Sequence, residues 1–545
     1  CGFNLRGDIR MLKFGRTVTK HRKTILLISF LLLIPSVIGY INTRVNFDVL
    51  VYLPDSMETV QGQDILLDEF HKGGFAMVMF DGMDKKDVAK TKAKIEKVDH
   101  VESVVWYDSV MDLSTPEEML PKEAYEAFND GDTTLMAVFF DTPTSDDGSL
   151  EAVEDIREIG GRQCFVSGMS AFVLDLKIIA ETEEPVYVLL AGILAMIVMA
   201  LLLDSWFISP VFLLGLGLTI IYNMGSNLFF GDLSYITKAI AAVLQLAVTM
   251  DYSIFLWHSY QEHRYDLKME REKAMANAIA KTLSSVAGSS ITTIAGFLAL
   301  CFMTFTLGVN LGLVMAKGVV LGVLGSVTIL PVLILAFEKP IMKTKHKPLM
   351  PKFDKLSDRV TKRPVVWIIL FVVLLGPSLV GYTHTDVYYN IDAGVPQTLP
   401  FKVASNKLSD QFGLQTELMV LTDANQSAKQ KREMIEEIDR VDGVILTLGL
   451  ESGVGPAVPE EILPNALSGK VKSDRWELMM IGTEYAVATD QLNDQIDEIH
   501  GIIKHYDKKA MLIGEGPCTK DLIDVTDRDF KVVTAISIAA IFFII

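Results

Sequence analysis

The sequence predicts a polytopic α-helical membrane protein with two α+β domains outside the membrane and two six-helix halves in parallel orientation. Three observations predict this class. Several apolar runs are about 20 residues long, the length that a helix needs to cross about 30 Å of hydrocarbon. Lys and Arg concentrate in the segments on one side of these runs, and part of the chain repeats itself at a fixed offset.

The composition argues against two other classes of protein. Of the 545 residues, 50% are hydrophobic, and the mean hydropathy is +0.33, which is too apolar for a typical soluble protein. The net charge of −18 excludes a nucleic-acid binder that neutralises phosphates with a basic surface. The four cysteines are scattered and form neither a metal-ligand spacing nor an evident disulfide framework. No metal site is therefore expected.

Seven apolar runs are predicted to span the membrane, and an eighth begins near residue 531. The basic residues lie at the N-terminus and in the loops 258–283 and 338–363, and the positive-inside rule places these three segments in the cytoplasm. The predicted spans are 24–42, 185–203, 207–229, 236–257, 286–307, 312–337 and 364–382. The predicted domains are a cytoplasmic segment 1–23, a first outer domain 43–184, five spans within 185–337, a cytoplasmic linker 338–363, a second outer domain 383–530 and the start of an eighth span at 531–545.

An internal repeat relates residues 19–70 to residues 361–412 with an offset of 342, and the offset drifts to 346 further on. Each unit comprises one helix, one outer domain and five helices. Because six crossings is an even number, the two units share one orientation, which is the parallel kind of repeat. The matched pairs include Pro35 with Pro377, Gly39 with Gly381, Tyr40 with Tyr382, and Asp175 with Asp521.

The repeat also leads us to expect a longer protein. Ile545 aligns with Met199, so the second unit lacks counterparts of residues 200–337. The intact protein is expected to have twelve spans and roughly 140 further residues. Without them, we expect no transport by these 545 residues alone.

In each outer segment the period of the hydrophobic pattern changes from 2 to 3.6 and back. The order is strand, helix, strand, strand, helix, strand, which is the split βαβ, ferredoxin-like arrangement. A pair of rigid caps is the alternative, because a fold alone assigns no activity. The predicted elements are 75–80, 84–98, 101–107, 133–140, 149–159 and 163–168 in the first segment, and 417–422, 426–440, 443–449, 476–482, 489–503 and 510–514 in the second.

An acid interrupts the fourth predicted span, in the stretch LQLAVTMDYSIFLWH at residues 244–258. An acid at the centre of a membrane helix costs about 2.5–3.5 kcal/mol on insertion scales, so Asp251 is a candidate for reversible proton binding. Tyr252 is placed to donate a hydrogen bond to it, and Gln245 and Thr249 add polar atoms along the same helix. His258, seven residues further on, is placed to lead protons to the cytoplasm.

These residues also have structural interpretations, which stay open at this point. Asp251 could lie at the membrane interface or in a static ion pair. Gln245 and Thr249 could form helix–helix hydrogen bonds, and His258 could be an interfacial residue beside Trp257.

A second charge lies inside the sixth predicted span, at Lys317. It either snorkels to the outer surface or pairs with Asp251, in which case protonation of the acid breaks the pair. The same span is rich in glycine, which lets neighbouring helices approach closely. The fifth span carries Ser289, Ser290, Thr292 and Thr293, which are polar enough to line a hydrated path.

The duplicated order of one helix, a large outer domain and five helices resembles the resistance–nodulation–division (RND) superfamily, and the MMPL family of transporters in particular. The Asp251-Tyr252 pair, followed by Phe255 and Leu256, resembles the fourth helix of that family. The stretches EHRYDLKMEREKAMANAIAKT, SSITTIAGFLAL and SVTILPVLIL also match it. The resemblance covers Met11 to Ile545.

The resemblance implies a secondary exporter of lipids, hydrophobic compounds or drugs in the cytoplasmic membrane of a bacterium. It implies that the proton gradient supplies the energy without a cofactor, and that Asp251 and Tyr252 belong to a proton relay whose second pair lies in a tenth helix. The implied partners are membrane lipids and a hydrophobic or amphiphilic small molecule, with no nucleic acid; a homo-oligomer stays open.

The sequence raises three alternatives to proton-driven export. One is a lipid-sensing receptor or scaffold, because the second to sixth helices resemble sterol-sensing domains. Another is a Sec-type accessory of protein export. An enzyme is disfavoured, because the sequence contains neither a Gly-x-Ser-x-Gly nucleophile elbow nor a phosphate-binding loop.

Overall fold

The computed structural model describes residues 5–109, 125–126, 128–347, 354–384, 394–450 and 471–545. Parts of the predicted linker 338–363 and of the second outer segment lie outside these ranges. The helices are α1 (Leu5–Lys20), α2 (Arg22–Asn42), α3 (Glu58–Phe70), α4 (Lys85–Ile95), α5 (Asp147–Gly160), α6 (Met169–Leu202), α7 (Ile208–Gly225), α8 (Tyr235–Gln261), α9 (Arg271–Ala299), α10 (Leu307–Ala336), α11 (Glu338–Lys343), α12 (Asp354–Lys362), α13 (Pro364–Thr383), α14 (Pro400–Phe412), α15 (Ala428–Ile438), α16 (Asp490–Tyr506) and α17 (Glu515–Ile544). The strands are β1 (Val45–Asn46), β2 (Gly74–Asp81), β3 (Val101–Val105), β4 (Asn129–Asp130), β5 (Thr133–Phe140), β6 (Cys164–Ser167), β7 (Leu233–Ser234), β8 (Thr416–Asp423), β9 (Val444–Leu448), β10 (Trp476–Thr483) and β11 (Met511–Ile513).

Seven of the described helices are long and apolar enough to cross a membrane, namely α2, α6 to α10 and α13. Each of them overlaps one of the seven predicted spans. The helical form follows from the solvent, because hydrocarbon offers no partner to a backbone N–H or C=O and the helix satisfies both internally. The predicted start of an eighth span lies within α17, which is not among the seven.

The membrane helices are packed unequally. Helix α10 lies at the centre, against α7, α8 and α9, and most of its apolar segment is buried. Helix α13 has no buried side chain in the described part of the chain. The candidate membrane helices α2 and α6 to α10 therefore form one bundle around α10, and α13 lies outside its core.

Two antiparallel sheets stand outside this bundle. The first has the strand order β3-β5-β2-β6, with β4 beside β5, and the second has the order β9-β10-β8-β11. If β4 is set aside and the strands of each sheet are numbered along the chain, both sheets have the order second, third, first, fourth. Each strand and helix predicted in the two outer segments is present within a few residues of its predicted bounds.

The two sheets share one apolar core. Every residue of β5 is buried, although a strand with one solvated face would alternate between apolar and polar residues. One face of β5 packs with α4 and α5 through Met136, Val138 and Phe140. Its other face, which includes Leu135 and Phe139, belongs to a cluster contributed by both sheets and by α3 and α14.

The first helix of each outer segment packs beside an edge strand of the other sheet. Helix α14 packs against β6 of the first sheet, and α3 packs against β11 of the second. At the first contact the carboxylate of Asp175, which is 2% exposed, accepts the Phe401 N–H at 2.6 Å and two hydrogen bonds from Arg157 at 2.6 and 3.2 Å. At the second contact, Asp521 accepts the Thr59 hydroxyl at 2.5 Å. An acid therefore sits at the beginning of each exchanged helix, where the helix dipole and unpaired N–H groups favour negative charge.

Another buried acid ties α17 to the membrane bundle. Asp529 is 2% exposed and accepts the Phe305 N–H and the Thr304 hydroxyl, both at 2.8 Å. These residues precede the first turn of α10. The second outer segment is thus joined to the first bundle through a hydrogen-bonded carboxylate as well as through the shared core.

We expect the Asp175→Ala substitution to destabilise the folded protein by about 3–5 kcal/mol, because it leaves the Arg157 charge without its partner and removes the acceptor of a buried N–H. The midpoint of thermal unfolding in detergent measures this effect. Asp87→Ala is the control, because Asp87 pairs with Lys90 while both side chains are more than half exposed. An equal midpoint for Asp175→Ala and wild type would contradict the structural role of this carboxylate.

Candidate functional site

Asp251 lies on a face of α8 that the described residues leave uncovered. The exposed positions of this helix are Ala239, Ile240, Val243, Ala247, Asp251, Phe255 and His258. From Val243 onward, their spacing of three to four residues forms one continuous stripe. The Asp251 carboxylate makes no hydrogen bond or ion pair with the part of the chain that the structure describes. Asp251 lies in the interior of α8, the helix that contains the fourth predicted span.

The remaining polar residues of α8 point the other way. Gln245, Thr249 and Tyr252 are at most 5% exposed and face the bundle interior. Adjacent helical residues diverge by about 100°, so the Tyr252 and Asp251 side chains point apart, and no hydrogen bond joins them within the described ranges. The adjacency in sequence therefore places the two side chains on different faces of the helix.

Gln245 and Thr249 form hydrogen bonds inside the bundle. The Asn223 amide of α7 donates to Gln245 Oε1 at 2.9 Å, which is the helix–helix hydrogen bond considered from the sequence. The Thr249 hydroxyl donates to the Gln245 carbonyl within its own helix at 2.6 Å.

Glycines of α10 make room for these side chains. A Cβ atom at Gly322 would lie 1.9 Å from Thr249 Cγ2, and one at Gly318 would lie 2.7 Å from the Asn223 amide nitrogen. A third glycine of α10, Gly325, similarly faces Thr219 of α7 at 2.2 Å. The close approach expected from the glycine pattern is therefore present, and it brings polar side chains against the α10 backbone.

Lys317 has partners in α7 and in the turn that follows it. Its ammonium donates to the Asn223 carbonyl at 3.0 Å and to the side chain of Asn227, and it lies 4.8 Å from the centre of the Phe230 ring. These contacts are at the end of the bundle nearer the sheets, as in the snorkelling interpretation. None of its hydrogen bonds in the described structure goes to Asp251.

Two acids that no sequence motif indicated lie near the C-terminal end of α8, where they accept hydrogen bonds from its side chains. Asp204, just beyond α6, accepts the Trp257 indole N–H at 2.9 Å and pairs with Lys345 at 3.3 Å. Glu338 accepts the Tyr260 hydroxyl at 2.7 Å. His258 lies next to buried Trp257 on the exposed stripe of Asp251. The sequence offered only a weak signal for these acids, namely the position of Trp257 four residues before the end of α8 at Gln261.

The serine and threonine side chains of α9 satisfy themselves locally. Ser290 donates to the Val286 carbonyl at 2.8 Å, and Thr292 and Thr293 both donate to the Ser289 carbonyl. Such bonds to a preceding turn let hydroxyls lie in an apolar helix. A role in a hydrated path stays a prediction.

A second cluster of polar groups lines a cavity of about 80 Å³ between the two sheets. Asp48, Lys72, Glu417 and Glu515 contribute to its wall. Burial raises the pKa of Asp48 to about 6, while the Leu50 N–H that it accepts acts in the opposite direction. Burial likewise raises the pKa of Glu417 to about 7. In the described ranges, no group of three or more His, Cys, Asp or Glu side chains is arranged to hold a metal ion.

Comparison with known proteins gives this arrangement a context. The model of the MMPL family matches residues 52–367. Membrane protein YdfJ of Bacillus subtilis is 22% identical over 472 residues, which cover 82% of this chain and 62% of YdfJ. The apo-petrobactin exporter of Bacillus anthracis is 22% identical over 477 residues, or 78% of this chain and 61% of the exporter.

A third relative is the siderophore exporter MmpL5 of Mycobacterium tuberculosis. It is 25% identical over 263 residues, which cover 46% of this chain and 27% of MmpL5. The chain thus matches less than two thirds of the length of each of these three relatives.

The contact between α8 and α10 can be tested by adding a methyl group at Gly322 and removing one from Thr249. Gly322→Ala is expected to lower the thermal unfolding midpoint, because all atoms close to the new Cβ belong to Thr249. Thr249→Ser removes Cγ2 but keeps the hydroxyl, so the double variant should recover most of the loss. Gly296→Ala in α9 is the control, since nothing lies within 4 Å of its Cβ position. Additive effects of the two substitutions would contradict the contact.

The acids of the cavity predict a pH dependence of stability. Because their pKa values are raised in the folded protein, the native state binds more protons than the unfolded state above about pH 4, and stability falls as pH rises toward 6–7. For Asp48, the displacement from 3.8 to about 6 corresponds to about 3 kcal/mol.

Asp48→Asn is therefore expected to raise the unfolding midpoint at pH 8 and to leave it nearly unchanged at pH 4, and Glu417→Gln should act in the same direction. Thermal unfolding at the two pH values checks this, with the exposed Asp87→Asn as control. A variant that is equally stabilised or destabilised at both pH values would rule out the titration of these acids as the cause.

Proposed function

Because the chain belongs to the MMPL family, we propose that it is part of a secondary exporter driven by the proton gradient across a bacterial plasma membrane. The substrate class that we propose is a hydrophobic or amphiphilic small molecule, such as a lipid or a drug. Two relatives support export, because they are named as a siderophore exporter and an apo-petrobactin exporter. The orientation that we propose places α1 in the cytoplasm and both sheets outside.

The position of Asp251 is the observation that carries the proposal. Gln245 and Thr249 on the inner side of α8 form hydrogen bonds within the bundle, whereas Asp251 lies on the uncovered stripe without a partner among the described residues. An unpaired acid at this depth is unfavourable in a lipid-facing position and marks a functional site by default. A carboxyl that is free to change its partner is suited to gain and lose a proton.

We propose that a further helix covers this stripe and supplies the second half of the proton relay. Asp251 would bind the proton, and Tyr252 would couple the change to the interior of the bundle, where it lies against buried neighbours. His258 lies on the same stripe, toward the end of α8 that we assign to the cytoplasm, and would guide the proton there. The roles that we propose for Gln245, Thr249 and Lys317 are structural, because each of them forms at least one hydrogen bond inside the bundle.

We also propose that the two outer segments are duplicated ferredoxin-like domains belonging to two parallel halves. The identical strand orders and the reciprocal contacts of Asp175 and Asp521 support this proposal. Since α6 and α17 continue directly from β6 and β11, a movement of either helix would reach the sheets. Conformational change at the proton site would in this way reach the outer domains.

The first experiment is carbodiimide labelling of the protein in membranes, because a carbodiimide reacts with protonated carboxyls in apolar surroundings. We expect Asp251 to be labelled more strongly at pH 5 than at pH 9 and Asp251→Asn to lose the modified peptide in mass spectrometry. Labelling that is absent, or equal at both pH values, would favour a static acid and the lipid-sensing or scaffold interpretation.

Asp251→Asn should in addition abolish proton movement through the protein in vesicles with an imposed pH gradient, monitored by a pH-sensitive dye. Gln245→Leu is the matched control from the inner side of the same helix, and it is expected to retain proton movement if it folds, which its thermal midpoint checks. Proton movement that survives Asp251→Asn would exclude this residue from the relay.

A further inference from the structure

An apolar groove runs along the membrane helices, and it meets the Asp251 stripe only at Val243. It lies between α6 on one side and α7 and α8 on the other, and its volume is about 390 Å³. Pockets for small molecules have volumes of about 300–1,000 Å³, so the groove is large enough to hold a ligand. Its wall includes Val188, Gly192 and Met196 of α6, Gly217 of α7, and Ala242 and Leu246 of α8.

The groove exists because two glycines face it and α6 packs loosely. Nothing lies within 4 Å of the Cβ positions of Gly192 and Gly217, so both residues leave open space. Helices α7 and α8 are held against α10, whereas only a small part of the apolar segment of α6 is buried. Because the wall is made of apolar residues of three membrane helices, its natural content is hydrocarbon.

One ion pair marks the end of the groove nearer the sheets. Lys238 Nζ lies 3.0 Å from Glu184 Oε2, and both side chains are at least four-fifths buried. Glu184, Val188, Gly192 and Met196 follow one another at intervals of four, and so do Lys238, Ala242 and Leu246, so each set lies along one helix face. The ion pair therefore lies one helical turn beyond the first apolar residues of the groove.

The dimensions suit a single hydrocarbon chain. Met196 lies twelve positions after Glu184, which corresponds to a rise of about 18 Å along the helix. A ligand lying along this face would place its apolar part between α6 and α8 and its polar end beside Lys238 and Glu184. The groove thus combines an apolar channel with one positive and one negative charge at one end only.

We propose that this groove binds one acyl chain of a phospholipid with a zwitterionic headgroup, such as phosphatidylethanolamine. The phosphate lies toward Lys238 and the ammonium toward Glu184, so that each charge of the headgroup meets its opposite. A purely anionic headgroup would satisfy Lys238 and face the Glu184 carboxylate, and an uncharged one would leave the ion pair without a new partner. This binding goes beyond the proposed export function and does not depend on proton movement.

The test uses the protein in nanodiscs that contain phosphatidylethanolamine with a photoreactive diazirine at the middle of one acyl chain. After irradiation, we expect mass spectrometry to find labelled peptides from 188–196 and 242–246. The double variant Gly192→Leu/Gly217→Leu fills the groove and should lower the labelling of 242–246 by about tenfold, because the binding surface is occupied by side chains.

The matched control is Gly288→Leu/Gly296→Leu in α9. These glycines also have nothing within 4 Å of their Cβ positions, so both double variants add the same atoms to open sites. Thermal midpoints check that both fold. Equal labelling of the filled and the unfilled groove, or an equal loss in the control, would overturn the proposal.

The headgroup is tested by probes that share the acyl chain but differ in the polar end. Phosphatidylethanolamine should label the groove several times more than phosphatidylglycerol or diacylglycerol at equal concentration. The preference should disappear in Glu184→Gln/Lys238→Gln while acyl labelling remains. Equal labelling by the three probes in the wild-type protein would overturn the assignment of the ion pair to a headgroup. No transport is measured, so failure of the export proposal would leave these outcomes unchanged.

Discussion

Two hydrogen-bonded carboxylates hold the first helix of each outer segment against the sheet of the other. Asp175 accepts the Phe401 N–H at the start of α14, and Asp521 accepts the Thr59 hydroxyl at the start of α3. This exchange lets both sheets bury apolar residues in one common cluster. Because Asp175 lies in α6 and Asp521 in α17, the same contacts connect a long helix of each segment to the first helix of the other segment. The outer part therefore behaves as one interlocked body rather than as two separate caps.

Inside the membrane bundle, the close approach of helices at the glycines of α10 decides which polar side chains form hydrogen bonds. The glycines of α10 let Thr249 and Asn223 approach its backbone, and the hydrogen bonds of Asn223, Gln245 and Lys317 join α7, α8 and α10 into one network. A polar group without a partner is expensive in hydrocarbon, so a network of this kind stabilises one arrangement of helices. Asp251 stands outside it and has no hydrogen-bond partner among the described residues, which leaves its carboxylate available to another partner.

Helix α8 contributes residues to three features of the membrane bundle. Its inner face belongs to the hydrogen-bonded network, its uncovered stripe carries Asp251, and Ala242 and Leu246 form part of the apolar groove. Val243 belongs both to the stripe and to the groove wall. In the proposed mechanism, a proton bound at Asp251 changes the partner of α8 on one side, and the resulting movement reaches the groove on the other. Membership of the MMPL family and the exporter names of two relatives agree with a membrane protein that couples such movements to transport.

Hydrophobic period and length were sufficient to locate the seven candidate spans and the strands and helices of both outer segments, because these local properties depend on solvent and on neighbours three or four residues away. They also singled out Asp251, since a charge within an apolar run is visible in the sequence. Three features required the tertiary structure: the exchange of α3 and α14, the separation of Asp251 and Tyr252 onto two faces, and the partners of Lys317. Each depends on which helix or sheet packs against a given face, and residues far apart in the sequence decide that packing, from about 90 positions for the partners of Lys317 to 462 for the contact between Thr59 and Asp521.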